Sequence, residues 1–213
     1  MVSERRPVRC AVVAEDRNLA DAVVAVIRAC GRGAEAVVDV ISVTTTSGCR
    51  PRRLGYLVEA GAVDADLVVV AADAAGEGHG RGRTISYRRK AQALEDLVPI
   101  DLRHKTLVAA AGPCAEAWLL SDPRAFAAGI REGIGVDFVA PTEWPIPQSE
   151  REAKQMIGDV ASAGTGGDRL ARNGFELCVE ILGRAELERS ANPSLADFSR
   201  RAIARLRERR VGP

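Results

Sequence analysis

The chain has 213 residues, of which 46% are hydrophobic and 28% charged, and its formal net charge is +1. These values are typical of a soluble globular protein, and so small a net charge indicates no particular class of partner. No run of 18 apolar residues is present and the first residues are polar, so we expect neither a membrane span nor a signal peptide. The five cysteines form no CxxC or Cys/His cluster, so we expect no disulfide framework, no zinc site and a cytoplasmic setting.

Strand and helix signals alternate along the first half of the chain. Runs of apolar and β-branched residues predict four strands: 8–14, 36–44, 67–72 and 106–111. Helical periodicity and helix-end signals predict three helices between them: 19–30, 52–60 and 86–97. This alternation predicts an α/β fold, with a doubly wound, mostly parallel sheet of four to five strands joined by right-handed crossovers.

The pattern becomes mainly helical after Pro113. Two further helices and one edge strand are predicted at 114–122, 123–130 and 136–140 respectively. Three prolines within residues 141–147 then predict a rigid connector. We therefore expect two parts: a core over residues 1–140, and a helical extension over residues 141–213 that packs on the core.

Three helix-start signals lie in the expected extension: Ser149 with Glu152, Asp168, and Asn192 with Pro193. The first pair has the spacing of a capping box. Asp168 is placed to cap a helix that reaches about Leu187. The last pair supplies an N-cap and a first-turn proline for a final helix that ends in Arg209 and Arg210.

Two acidic residues stand where predicted strands end. Glu15 follows the first strand and Asp73 follows the third. The carboxyl ends of parallel strands share one edge of a sheet, where ligands bind, so we expect both side chains to point into one crevice. Carboxylate oxygens are natural ligands of Mg²⁺ and Mn²⁺. The pair therefore predicts a divalent-metal site that can position a phosphodiester.

Glu116 is a candidate third metal ligand. It follows the fourth strand and, if the next segment is helical, lies in the first turn at the same edge of the sheet. An acid in that position is also a common partner of the helix dipole, and this alternative stays open.

A glycine-rich loop follows Asp73, with four glycines between residues 76 and 82. Glycines let backbone N–H groups approach an anion closely, although the loop matches neither the Walker phosphate loop nor a dinucleotide fingerprint. Glu77 and His79 within it are candidate catalytic residues, as a further acid and a general base. The alternative is a solvent loop without a function.

Basic residues follow these acids in a stretch that contains no acid between its members: His79, Arg81, Arg83, Arg88, Arg89 and Lys90. Beside metal-binding carboxylates, such a patch is suited to hold a polyanionic backbone by charge attraction, so the five Arg and Lys residues are candidate nucleic-acid ligands. The competing interpretation is the solvated start of a helix.

Two longer segments, taken with these acids, resemble a known family. They are Glu116-Ala-Trp-Leu-Leu-Ser-Asp122 and Asn192-Pro-Ser-Leu-Ala-Asp-Phe198. With acids after strands one and three of a compact parallel core, the chain resembles the TOPRIM domain of topoisomerases, primases and OLD-family nucleases. It is most similar to small bacterial TOPRIM-like proteins of unknown function. The resemblance implies a Mg²⁺- or Mn²⁺-dependent nuclease subunit that acts on nucleic acid, expected to be DNA, and pairs with an ATPase in phage defence.

The chain departs from the TOPRIM pattern in two places. Strand three of that domain carries Asp-x-Asp where this chain has Asp73-Ala74-Ala75, and the family's Glu-Gly is Glu15-Asp16 here. Three functions therefore stay open: a metal-dependent nuclease, an inactive TOPRIM subunit that docks an ATPase through its helical extension, and a nucleotide- or anion-binding α/β protein. Self-association into a homo-oligomer is open in each case.

Overall fold

The computed structural model describes residues 6–46, 51–74, 86–135, 137–140, 144–163 and 174–210. Four strands lie in these residues: β1 (Val8–Ala14), β2 (Val38–Thr45), β3 (Leu67–Asp73) and β4 (Thr106–Ala111). The helices are α1 (Arg17–Gly33), α2 (Pro51–Ala62), α3 (Tyr87–Leu97), α4 (Ala115–Leu119), α5 (Pro123–Ile134), α6 (Glu150–Ala163), α7 (Gly174–Arg184) and α8 (Pro193–Arg210). Two 3-10 turns cover Ile100–Lys105 and Leu187–Arg189. Across the described ranges, no helix is both long enough and apolar enough to cross a membrane.

The described strands form one parallel sheet in the order β2-β1-β3-β4. The chain moves outward from β1 to β2, then returns past β1 to add β3 and β4. The predicted α/β class with a doubly wound parallel sheet is therefore confirmed, and the winding reverses between β1 and β3. In sheets of this kind the ligand crevice opens at that reversal, outside the carboxyl ends of the strands.

Alternate residues of the central strands feed a hydrophobic cluster on each face of the sheet. On one face, Val12 and Val69 pack with α1, α4, α5, α7 and α8. On the other face, Val13 and Val70 pack with α2 and α3. Because both faces are covered, β1 and β3 are apolar almost throughout. The first cluster includes side chains from both sides of residue 140, and the domain boundary expected there stays a prediction.

Arginines of helix α8 fasten it to the sheet and to α1, in addition to the packing of its apolar side. The guanidinium of Arg201 donates to the carbonyl of Val108 in β4 at 3.0 Å, and that of Arg207 donates to the carbonyl of Gly33 at 3.0 Å. Both bonds lie within the chain. This arginine-rich helix therefore uses part of its positive charge in contacts within the chain.

The edge strand predicted at 136–140 is wrong, because residues 137–140 pair with no strand. Phe138 instead joins an aromatic cluster, with its ring 5.8 Å from the ring of Phe126 and 5.8 Å from that of Trp144 between centroids. Edge-to-face packing of this kind stabilises the chain away from the sheet. The described sheet therefore has four strands and no fifth.

The helix predicted over 114–122 ends early, at Leu119. Asp122 is the N-cap of α5, where its carboxylate accepts hydrogen bonds from the backbone N–H groups of Arg124 and Ala125, both at 3.0 Å. An acid followed by Pro123 is a strong helix start, and this start interrupts the preceding helix. Asp122, the last residue of the Trp-containing segment, therefore caps a helix.

Two of the three predicted helix starts are confirmed. The Ser149 hydroxyl accepts from the N–H of Glu152 at 3.2 Å, and the Asn192 amide oxygen accepts from the N–H of Ser194 at 3.0 Å. Asp168 lies outside the described residues. The helix it was expected to cap ends at Arg184, three residues before the predicted end, and the chain turns so that Leu187 packs into the core.

We expect Phe198→Ala to lower the free energy of unfolding by about 3–5 kcal/mol, because it empties a fully buried site. The Phe198 ring is completely buried and stacks on Trp118, with 5.7 Å between ring centroids. Urea denaturation followed by circular dichroism measures the change. The control is Ile100→Ala at a side chain that is 82% exposed, for which we expect a change below about 0.5 kcal/mol. Equal effects of the two substitutions would contradict the packing described for α8.

Candidate metal centre

The strand order brings Glu15 and Asp73 together. β1 and β3 are direct neighbours, and Glu15 continues the ladder by donating its N–H to the carbonyl of Ala71 at 3.0 Å. The Glu15 carboxylate then accepts a hydrogen bond from the backbone N–H of Asp73 at 3.2 Å. Both acids therefore lie at the carboxyl edge of the sheet, beside the point where the strand order reverses and where sheets of this kind bind ligands.

Asp73 is half-buried, and its pKa is raised in the folded protein. Burial, followed by the negative charges of Glu116, Asp16 and Glu15, raises its pKa from the ordinary 3.8 to about 7. One contact acts in the opposite direction, because the N–H of Ala115 donates to the Asp73 carboxylate at 3.0 Å. The charges of three other acids at this edge of the sheet therefore act on Asp73.

Glu116 occupies the first turn of α4, as the sequence predicted, and its charge acts on Asp73 across the crevice. Ala115, which begins this helix, supplies the N–H that holds Asp73. Because β3 lies between β1 and β4, Glu116 approaches Asp73 from the side opposite Glu15.

Two charged residues near this edge were not singled out as site residues. Asp16 caps α1 by accepting from the N–H of Leu19 at 2.9 Å, and its charge also acts on Asp73. Lys154 on α6 pairs with Glu150 and interacts with the charge of Glu116. The adjacency of Asp16 to Glu15 is visible in the sequence. Nothing local signals Lys154, because α6 comes beside α4 only through tertiary packing.

The donor set fits Mg²⁺ in its chemistry. Within the described residues, no group of three or more His, Cys, Asp or Glu side chains is placed to hold a metal ion by itself. Mg²⁺ does not require such a group, because it is usually held by one or two carboxylates and completes its octahedron with water and substrate oxygens. Glu15 and Asp73 would supply the carboxylates, with Glu116 beside them. Glu77 and His79 lie outside the described residues.

Part of the basic stretch lies at the same edge of the sheet. Helix α3 begins at Tyr87, and a Cβ added to Gly112 at the end of β4 would meet the Tyr87 side chain at 3.0 Å. Arg88 and Arg89 in this first turn are exposed, and Arg88 also lies against the Tyr87 ring. The first turn of α3, which carries Arg88, Arg89 and Lys90, therefore lies beside the end of β4. The remaining candidates, Arg81 and Arg83, lie outside the described residues.

No protein-family model matches the chain, and no curated protein matches it. Among solved structures, the C-terminal region of the Burkholderia pseudomallei OLD protein aligns with 92% of this chain and 98% of its own length. The two chains are 17% identical, and the TM-score is 0.44. At that score the likeness assigns neither a family nor a function to this chain.

The titration of Asp73 predicts a pH-dependent stability in metal-free buffer. Because its folded-state pKa of about 7 lies above the ordinary 3.8, the folded protein holds a proton that the unfolded chain has lost between these values. Stability therefore falls as the pH rises through this window. We expect Asp73→Asn to be more stable than the wild type by about 4 kcal/mol near pH 8, at about 1.4 kcal/mol for each unit by which the pKa is raised, and nearly equal to it near pH 4.

Urea denaturation of both proteins in EDTA at a series of pH values measures this difference. Asp101→Asn, at an exposed acid in the 3-10 turn before β4, serves as the control and should show no such trend. If the difference in the free energy of unfolding between Asp73→Asn and the wild type stays constant over the whole pH range, the pKa of Asp73 is not raised in the folded protein.

Proposed function

We propose that the protein is a Mg²⁺- or Mn²⁺-dependent phosphodiesterase of the nuclease type. The observation that carries this proposal is the meeting of Glu15 and Asp73 at the reversal point of a parallel sheet, with Glu116 acting on Asp73 from the first turn of α4. Like charges held this close raise the free energy of the folded state until a cation neutralises them. A site of this composition therefore favours a divalent cation and, through it, a phosphate.

The residues divide into three roles at this edge. Glu15 and Asp73 hold the cation, and Glu116 is the candidate third ligand beside them. A divalent ion bound there supplies charge neutralisation at the phosphate and lowers the pKa of a bound water. The phosphate backbone of the polyanion is held by five basic residues: Arg81, Arg83, Arg88, Arg89 and Lys90. Glu77 and His79 are proposed as the further acid and the general base, from their place in the loop after Asp73.

The proposed substrate is a nucleic acid, DNA in the first instance. The support is the row of cations that begins beside the acids, because a polyanionic backbone is attracted to such a row without a base-specific contact. The TOPRIM-like motifs support the same substrate, and on that resemblance we propose an ATPase partner and a role in phage defence. Cys10, Cys30 and Cys114 are buried free thiols, which supports a reducing cytoplasmic setting.

A second candidate is a catalytically inactive subunit of the same fold. Two observations favour it: Ala75 stands where the TOPRIM pattern has its second strand-three acid, and the described residues form no complete metal-ligand group. Such a subunit would bind its partner protein and leave divalent ions unbound. The two candidates therefore differ in a property that does not require knowledge of the substrate.

We expect Glu15→Gln and Asp73→Asn each to reduce Mn²⁺-dependent cleavage of plasmid DNA by on the order of 100-fold or more, the scale for losing a group that stabilises transition-state charge. Both substitutions keep side-chain volume and remove charge. Asp101→Asn, an exposed acid remote from the crevice, should cleave at the wild-type rate.

The same proteins, titrated with Mn²⁺ by calorimetry, distinguish the two candidates. Saturable heat in the wild type that disappears in Asp73→Asn supports the catalytic candidate. An absence of heat in every protein, with no cleavage, supports the inactive subunit. Cleavage that persists at the wild-type rate in both Glu15→Gln and Asp73→Asn would eliminate this crevice as the active site.

We expect the double variant Arg88→Ala, Arg89→Ala to bind a DNA duplex more weakly and with a shallower dependence on salt. Each phosphate contact that is removed lowers the slope of log affinity against log salt by about 0.9, so the double variant should lose about 2. Fluorescence anisotropy at several salt concentrations in EDTA measures the slope. Arg103→Ala, exposed in the 3-10 turn before β4, is the control. An equal loss of slope in the control would place the contact surface elsewhere.

A further inference from the structure

A buried set of hydrogen bonds joins the start of α8 to the loop between β4 and α4. The Ser194 side chain is almost completely buried. Its hydroxyl accepts from the backbone N–H of Gly112 at 2.9 Å and from the indole N–H of Trp118 at 2.8 Å, and donates to the Asn192 amide oxygen at 2.7 Å. Every hydrogen-bonding position of this hydroxyl is therefore used.

Asn192 completes the set with both ends of its amide. Its oxygen accepts from the N–H groups of Ser194 at 3.0 Å and Leu195 at 3.2 Å, which is ordinary helix capping. Its nitrogen donates to the carbonyl of Gly112 at 2.7 Å, which capping does not require. Both backbone polar groups of Gly112 are thus bound by side chains from the start of α8.

The loop that is held in this way leads directly to the candidate site. Gly112 is followed by Pro113, Cys114 and Ala115, and the N–H of Ala115 donates to the Asp73 carboxylate at 3.0 Å. Among the described residues, the Ala115 N–H is a backbone group that holds the Asp73 carboxylate in place. Groups that fix the backbone of this loop therefore also fix the direction of that donor.

We propose that Asn192 and Ser194 are positioning residues for the metal centre, acting through Gly112 and Ala115 on Asp73. The proposal rests on the proposed function for its consequence, and on the hydrogen bonds above for its geometry. It makes the start of the last helix part of the site, although that helix is about 120 residues away from Asp73 in the sequence. Residues that orient a metal ligand from outside typically change metal affinity 10- to 100-fold when they are replaced.

The variant that tests this proposal is Asn192→Asp. Aspartate keeps the oxygen that caps α8, so the helix cap itself is retained. An ionised aspartate cannot donate to the carbonyl of Gly112, so the variant breaks the bond that ties residue 192 to the loop. Ser194→Ala removes the second bond to the loop, which is the one that the Ser194 hydroxyl accepts from the N–H of Gly112. Ile203→Val, a buried position on α8 away from the loop, is the control matched for loss of stability, with an expected change of about 0.5–1.5 kcal/mol.

Two measurements are made on each protein. The first is the hydrogen-exchange rate of the Ala115 amide by NMR without metal, and the second is the Mn²⁺ dissociation constant by calorimetry. We expect Asn192→Asp and Ser194→Ala to accelerate exchange at Ala115 by about tenfold relative to Ile203→Val. We expect the same two variants to bind Mn²⁺ about tenfold more weakly, while Ile203→Val binds like the wild type.

The outcomes separate this inference from the proposed function. Unchanged Ala115 exchange in Asn192→Asp would overturn the inference and leave Asn192 as a helix cap only. Faster exchange with unchanged Mn²⁺ affinity would also overturn it, because the loop would then have no influence on the site. If the wild type binds no Mn²⁺, the proposed function fails, and the exchange rates alone decide whether α8 holds the donor to Asp73.

Discussion

The structure is built around one electrostatic constraint, the crowding of carboxylates where β1 and β3 end side by side. Parallel strands place their carboxyl ends at one edge, and neighbouring strands place them within hydrogen-bond reach, as the contact between Glu15 and the N–H of Asp73 shows. A desolvated acid beside three other acids is not the arrangement of lowest free energy for the folded chain alone. The fold retains it because the flanking strands are rigid and almost completely buried, so the acids cannot separate without disrupting the core.

The second determinant is the way α8 spans the sheet. At its start, Asn192 and Ser194 bind the loop that follows β4, on the acidic edge. Further along, Arg201 donates to Val108 in β4, and Arg207 donates to Gly33 at the end of α1. Because these contacts are distributed along the helix, α8 connects the acidic edge to the body of the fold. Apolar packing alone would fix the distance between α8 and the sheet. The directional hydrogen bonds also fix where α8 lies along the sheet.

The sequence is sufficient to predict the sheet and the acidic pair for a simple physical reason. Buried parallel strands must be apolar on both faces, so β1 and β3 are continuous apolar runs, and a charged residue that follows such a run marks the edge of the sheet. Glu15, Asp73 and the first-turn position of Glu116 all follow from that rule. The predicted strand at 136–140 failed because Phe138 is satisfied by other aromatic rings, and an alternating pattern cannot reveal which partner a ring will find.

Other parts of the site depend on contacts between segments far apart in the sequence. Ser194 and Trp118 belong to the two segments that suggested the family resemblance, yet the bond between them is a property of the folded chain. The same holds for Lys154, which comes near Glu116 only when α6 lies beside α4. A local sequence pattern shows which residues are polar but does not show which residues they will bind. The pairing of a buried polar residue is decided by tertiary packing, where an unmade hydrogen bond is unfavourable by about 1–3 kcal/mol.

The incomplete ligand group in the described residues also bears on how the proposed site would work. A cation held by one or two carboxylates keeps much of its water, so it binds weakly until an oxygen-rich ligand joins it. A phosphodiester supplies such oxygens, and the cations at the start of α3 attract it to the same edge. Metal and nucleic acid would then bind cooperatively, since each provides part of the other's site. On this reasoning a site with so few carboxylates would bind the free ion weakly and the ion together with its substrate more tightly.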